Sequence, residues 1–240
     1  MQIDEFSHEM KEKMKKIDIN ITDMQIKKFF SYMNLLIEWN QKINLTTIVA
    51  PKEIIIKHFV DCGTILKYLK DGENIIDIGT GAGFPGIPVK ILNENLNVTL
   101  VDSLNKRINF LNEVCKTLNL NNVELVHSRA EDLAKNKEYR EKFDKTISRA
   151  VANLSTLAEY DLPFIKNGGQ MVAMKGFEID EELKNAEKAI NILGGKVKEV
   201  NKFNLIDTDN KRSIVVIDKI KATPKQYPRK AGKPLKEPIK

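Results

Sequence analysis

Asn74-Ile75-Ile76-Asp77-Ile78-Gly79-Thr80-Gly81-Ala82-Gly83-Phe84-Pro85-Gly86 decides the fold. A short apolar run stops at three glycines spaced by two. Pro85 then opens an apolar-periodic segment, Ile87, Val89, Ile91 and Leu92. That order predicts strand, glycine-rich turn and helix. Proline suits a helix's first turn, where its missing N–H would have had no partner. Glycines let the backbone turn sharply and let a ligand lie against it. The helix N-terminus offers free N–H groups and a partial positive charge. A nucleotide-like ligand is expected here. A turn with no ligand would carry the conformational cost of three glycines for nothing.

Two registers can be read in the loop. Gly81-x-Gly83-x-x-Gly86 matches the dinucleotide fingerprint, but its first glycine falls three residues past the apolar run. Asp77-x-Gly79-x-Gly81-x-Gly83 places an acidic residue first and resembles motif I of class I S-adenosylmethionine (SAM) methyltransferases. SAM has no pyrophosphate. It has a sulfonium and an ammonium, and a carboxylate at the strand end suits both charges. The second register is favoured.

Working outward, the 240 residues suffice for one large or two small domains with a real core. No apolar run approaches the roughly 20 residues of a membrane span. Residues 1–16 are charged throughout and read as no secretory signal. Cys62 and Cys115 lack metal-ligand spacing and are expected to be reduced, structural thiols in a cytoplasmic protein. No metal site is expected. The net charge of +6 resides wholly in residues 221–240, which hold seven Lys or Arg against one Glu, and four of the eight prolines. Such a strip is expected to stay extended without helix. It suits a polyanion such as RNA, although a merely solvated terminus fits equally well.

Before the glycine loop, residues 4–16 read as a helix. Thr22 reads as the N-cap of a second helix running to about Gln41. A third is expected from Pro51 to before Gly72, with His58 and Asp61 on one face. Residues 1–72 thus form a helical cap. From 74 onward strands alternate with helices: strands at 74–78, 97–101, 122–127, 143–148 and 170–174, the last reached from a helix at about 154–166 through a Gly168-Gly169 turn, then 196–204 and 212–219 with no helix between them. Residues 73–220 therefore form an α/β domain. A mostly parallel, Rossmann-like sheet with an antiparallel edge pair and an N-terminal helical extension is the expected fold. The tail, 221–240, is a third unit.

Ligands in such sheets bind beyond the carboxyl ends of the strands. Asp102 ends the second strand, where an acidic residue accepts hydrogen bonds from a ribose diol in NAD and SAM sites alike. An N-cap role for the next helix is compatible. Ala130 and Glu131 follow the third strand, facing either adenine or a helix dipole. Arg149 follows the fourth, suited to a SAM carboxylate or an RNA phosphate, or to a surface ion pair. Lys175 ends the fifth. His58 is expected to be structural, with a substrate role as the minority reading.

Asp77-Ile-Gly-Thr-Gly-Ala-Gly-Phe-Pro-Gly-Ile-Pro88 resembles the signature of the RsmG (GidB) family. So do Trp39-Asn40-Gln41-Lys42-Ile43-Asn44-Leu45-Thr46, Ser148-Arg149-Ala150-Val151-Ala152 and Tyr227-Pro228-Arg229-Lys230-Ala231-Gly232. The resemblance spans nearly the whole chain. It implies a SAM-dependent rRNA methyltransferase acting on N7 of a guanine in small-subunit (16S) rRNA. It places Gly79, Phe84, Ala130, Glu131 and Arg149 on SAM-contacting positions, joined by Gly81, Gly83 and Asp102 from the residue-level reading. His58, Lys175, Arg229 and Lys230 are weaker candidates for the substrate side. Ser148, where the family often has alanine, and Lys233 are minor departures. The partner implied is 16S rRNA or the small ribosomal subunit, with no membrane and no metal; a monomer is expected.

Guanine N7 carries a lone pair and no proton, so no catalytic acid or base is expected. Two other functions remain readable. One is an NAD-dependent oxidoreductase using the Gly81–Gly86 register, for which no hydride-handling donor is evident. The other is a non-catalytic RNA-binding protein, against which the intact glycines and Asp102 argue.

Overall fold

The computed structural model describes residues 1–149 and 151–240, so Ala150 of the quoted Ser148–Ala152 stretch lies outside the described residues. Helix α1 (Ile3–Lys15) and α2 (Asp23–Asn40) come first. Thr22 caps α2 as expected. Its hydroxyl accepts the Gln25 N–H at 3.2 Å, while Gln25 Oε1 accepts the Thr22 N–H at 2.9 Å. The seven strands are β1 (Asn74–Ile78), β2 (Asn97–Asp102), β3 (Val123–His127), β4 (Phe143–Arg149), β5 (Ile165–Gly176), β6 (Gly195–Asn204) and β7 (Lys211–Lys219). They form one sheet in the order β3-β2-β1-β4-β5-β7-β6. The first five strands pair in parallel, and β7 runs antiparallel to both β5 and β6. The strand order reverses at β1 and β4, which opens the crevice where such sheets take their ligands.

Between strands lie α5 (Gly86–Leu92), α6 (Asn105–Thr117), α7 (Ala130–Leu133), α8 (Leu154–Asp161) and α9 (Asp180–Ile192). The N-terminal helices share one hydrophobic core with a face of the sheet. Phe6, Phe29, Tyr32 and Leu36 pack in the same buried cluster as Ile75, Leu100, Ile147 and Val216. Tyr32 reaches furthest, donating its hydroxyl to the Ala82 carbonyl inside the glycine loop. The helices therefore position the loop as well as covering the sheet.

Four expectations are corrected. The helix expected from Pro51 is broken into α3 (Pro51–Ile54), a π-helical stretch (Ile55–Val60) and α4 (Asp61–Gly63), followed by a short 3₁₀ turn. In the π stretch the Asp61 N–H reaches the Ile56 carbonyl, and the Lys57 carbonyl accepts from Arg149 instead. The helix expected to reach residue 166 stops at Asp161, because Pro163 has no N–H to continue the ladder. Gly168-Gly169 does not precede β5 as a turn but sits within it, at a register shift opposite Phe143 and Lys145. The last twenty residues are not a free extended strip. They pack along the domain and include a helical turn, α10 (Lys233–Lys236). Buried acceptors overcome the self-repulsion: Arg229 pairs with Glu159, and the Gly232 N–H with Glu131.

Candidate functional site

The glycine loop is held from below by Asp77. Its Oδ2 accepts the Thr80 hydroxyl at 2.7 Å and the Gly86 N–H at 2.8 Å. A Cβ on Gly86 would stand 2.3 Å from Leu100 and 2.8 Å from that carboxylate, so glycine is required there. Asp77 is fully buried and burial pushes its carboxyl up to about 7. It shapes the loop rather than facing a cation across open space, the role its position in the motif suggests.

Gly81 is the loop's open point. Its φ is +62°, and an added Cβ would meet nothing nearer than the Gly79 carbonyl at 4.0 Å. The Gly81 N–H donates to Asp102 Oδ2 at 3.0 Å. Asp102 also accepts from Arg107 at 3.1 Å, and its Oδ1 takes the Leu104 N–H at 2.9 Å. The bond to Leu104, two residues on, is an Asx turn. Leu104 is the residue that caps α6, so the N-cap role expected for Asp102 is not what the structure has.

A cavity of about 380 Å³ lies over this end of the sheet, lined by Gly79, Asp102, Ala130 and Glu131 together with Gly232 and Leu235. Four sequence-predicted residues thus share one wall system. Glu131 is buried and accepts the Gly232 N–H at 2.7 Å. Gly83 lies beneath the loop, where a Cβ would stand 2.7 Å from Ile87 and 2.8 Å from Tyr32.

A second cavity, of about 330 Å³, is lined by His58, Asp61, Arg149, Lys175 and Arg212. Arg149 joins β4 to the π stretch. It donates to the Lys57 carbonyl at 2.9 Å, Asp61 Oδ2 at 3.2 Å and His58 Nδ1 at 3.0 Å. Its guanidinium sits 4.8 Å from the centroid of Phe84, whose ring stacks on His58 at 4.4 Å. Phe84 is thus the floor of this cluster and lies 5 % exposed. Arg212 approaches the other Asp61 oxygen at 3.4 Å. Burial pushes the Asp61 carboxyl up, against the pull of both arginines. Lys175 is turned to Glu182 and the Ala152 carbonyl.

His58 is neutral by geometry. Its Nδ1 lies 3.0 Å from the Arg149 guanidinium and 3.1 Å from the Lys57 carbonyl; because arginine only donates, the Arg149 contact assigns the proton to Nε2, which then donates to Thr46 Oγ1 at 2.9 Å. Burial, reinforced by the Arg149 charge, pushes its pKa down to about 3. A histidine depressed in this way stabilises the fold fully above its unfolded value near 6.5, and the contribution is lost as pH falls through about 3. The stability difference between wild type and His58→Gln is therefore expected to shrink by up to about 1.4 kcal/mol for each pH unit between about 6.5 and 3. Urea titrations of both proteins from pH 7 to pH 4 check it. Parallel pH dependences would mean that His58 is not buried as a neutral base.

Residues 25–215 match the family described as GidB, rRNA small subunit methyltransferase G. The chain belongs to the GidB family. GidB relatives named "Ribosomal RNA small subunit methyltransferase G" agree along almost their whole length. That of Desulforamulus reducens is 53% identical over 232 residues, 96% of this chain and 97% of the relative. That of Clostridium botulinum (strain Loch Maree / Type A3) is 49% identical over 238 residues, 98% and 100% of the two chains. GidB proteins are SAM-dependent methyltransferases. The fold is shared with M. jannaschii TYW2, solved in complex with AdoMet: the TM-score is 0.53 at 15% identity, over 67% of this chain and 75% of that one. In this GidB chain, Arg107, Arg212, Glu159, Gly232 and Leu235 went unread in the sequence as parts of the site. Arg107 had a local cue, since it stands in the first turn of the helix after Asp102. The others are brought in by tertiary packing alone.

Proposed function

We propose that this chain transfers the methyl of SAM to N7 of a guanine in small-subunit rRNA, with no general base. Family membership over nearly the full length supports the reading. The observation that carries it in the structure is the Gly81–Asp102 pair at the strand crossover. The loop there is open above Gly81, and a carboxylate lies beside the cavity. These features fit SAM. Gly79 and Gly81 would let its backbone-hugging part lie close, and Asp102 would accept from the ribose hydroxyls once Arg107 yields a lone pair. Arg149 and Phe84 would flank the amino-acid end. When bound, SAM supplies an electrophilic methyl on sulfur, which the in-plane lone pair of N7 can take in line.

The residues near the second cavity do not offer a proton acceptor of ordinary strength. His58 is committed at both nitrogens, and Asp61 faces two arginines. Burial pushes the Cys62 thiol up to about 12 and the Cys115 thiol to about 11, so neither is poised as a nucleophile. What these side chains can do is orient a base and set its electrostatic surroundings. Arg212, which lines this cavity, suits an RNA phosphate. Lys230 is exposed on the tail and remains a substrate-side candidate, whereas the Arg229 guanidinium is held by Glu159. Action as a monomer is part of this reading. The cytoplasm, where rRNA is made and assembled in bacteria, is the compartment proposed.

The test is transfer of labelled methyl from SAM to rRNA, or to small subunits, from a strain lacking the activity, followed by mapping of 7-methylguanosine. Incorporation at a single guanine is expected. Gly81→Asp should abolish both SAM binding and transfer, because its side chain would enter the open space above the loop. No transfer by the wild-type protein to either substrate would reject the proposal.

A further inference from the structure

The C-terminal segment enters the first cavity and is anchored on both sides of it. Upstream, Arg140 donates to the carbonyls of Thr223 at 2.8 Å and Tyr227 at 2.9 Å. The Arg229 N–H and guanidinium bind Glu159 through both of its oxygens, at 2.7 Å each for the shortest contacts. Glu159 is fully buried, so this is a built anchor and not a surface pairing. Downstream, Thr156 donates to the Pro234 carbonyl at 3.0 Å. Between the anchors, Gly232 adopts φ +79° and gives its N–H to Glu131.

Leu235 is the exception in this well-fastened segment. It is 60% exposed and lines the cavity together with Tyr160, Val151, Asp102 and Ala130. A cavity lined by both apolar side chains and a carboxylate matches an adenosine, which presents a purine face and a ribose diol. We propose that residues 229–235 are the outer wall of the cofactor pocket, with Leu235 packing on the adenine. Glu131 is then a positioning residue that sets this wall through Gly232. The proposal rests on the SAM reading above and adds a part of the chain to that site. It makes the basic tail a component of cofactor binding, whatever its part in holding RNA.

The experiment compares wild type, Leu235→Ser and Glu131→Ala, with Glu131→Gln as the conservative variant. Calorimetric titrations use SAM and methylthioadenosine, which keeps the adenosine and lacks the amino-acid end. Leu235→Ser is expected to weaken both ligands by about fivefold, the cost of removing one partly buried apolar side chain, with an unchanged melting temperature. Glu131→Ala should weaken both as well, and Glu131→Gln, which keeps an oxygen for Gly232, should restore them. Truncation after Pro228 strands Glu159 in the core and can unfold the protein, so Leu235→Ser carries the test. Binding of both ligands by Leu235→Ser within twofold of wild type would overturn the proposal while leaving the SAM reading intact. Failure of the wild type to bind SAM at all would overturn both.

Discussion

Replacing Arg149 with methionine is expected to destabilise the fold by about 3 kcal/mol and to remove nearly all methyl transfer to rRNA. The first effect follows from what the side chain leaves behind. Asp61 is 2 % exposed and one of its oxygens has no hydrogen-bond partner among the described residues. Losing Arg149 leaves it with Arg212 alone, at 3.4 Å. Breaking a buried ion pair by removing one partner costs about 3–5 kcal/mol, because the remaining charge stays out of water. Phe84 also loses the cation above its ring. The second effect separates function from stability. In the double variant Arg149→Met with Asp61→Asn, most of the stability should return, since neither charge is then stranded, while transfer stays lost. Chemical denaturation and methyl incorporation on the same preparations check both. A double variant that regains activity together with stability would make Arg149 a structural residue only.

Asp102→Ala should weaken SAM by about a hundredfold with a smaller effect on folding. Hydrogen bonds to a charged acceptor contribute about 1.5–3 kcal/mol each, and a ribose diol offers two donors. Tenfold in affinity corresponds to about 1.4 kcal/mol, so even the lower value for each bond gives two decades. In the free protein Arg107 and the Gly81 N–H share Oδ2. Arg107→Ala is therefore expected to leave SAM binding unchanged or tighter, opposite in sign to the loss at Asp102. Calorimetry on both variants decides it. Equal SAM affinity in Asp102→Ala and wild type would reduce the carboxylate to a fastener of the loop.

The strand positions and the mostly parallel sheet with its antiparallel edge pair were legible because glycine, proline and apolar periodicity mark strand ends locally. The run 74–78 and the residues ending each strand stand where those marks put them. What the sequence concealed had non-local causes. Nothing near Asp77 says that its carboxylate turns under the loop, because Thr80 and Gly86 reach it only once the turn is formed. The π stretch at Ile55–Val60 depends on Arg149, about ninety residues on, taking the Lys57 carbonyl. The tail's charge predicted solvent exposure, yet Glu159 and Glu131 lie buried where Arg229 and Gly232 arrive. The Tyr32 contact to Ala82 likewise joins positions fifty apart.

That last contact bears on how such an enzyme can be rebuilt. Phe29, Phe59, Tyr32 and Phe84 form a continuous run of aromatic rings from the second helix to the guanidinium of Arg149. The N-terminal helices are therefore not a graftable module that could be exchanged to redirect the enzyme to another RNA. Removing them would strip the apolar face of the sheet and release the glycine loop together. New specificity in this scaffold has to be sought in side chains at the rim, with the helices left in place.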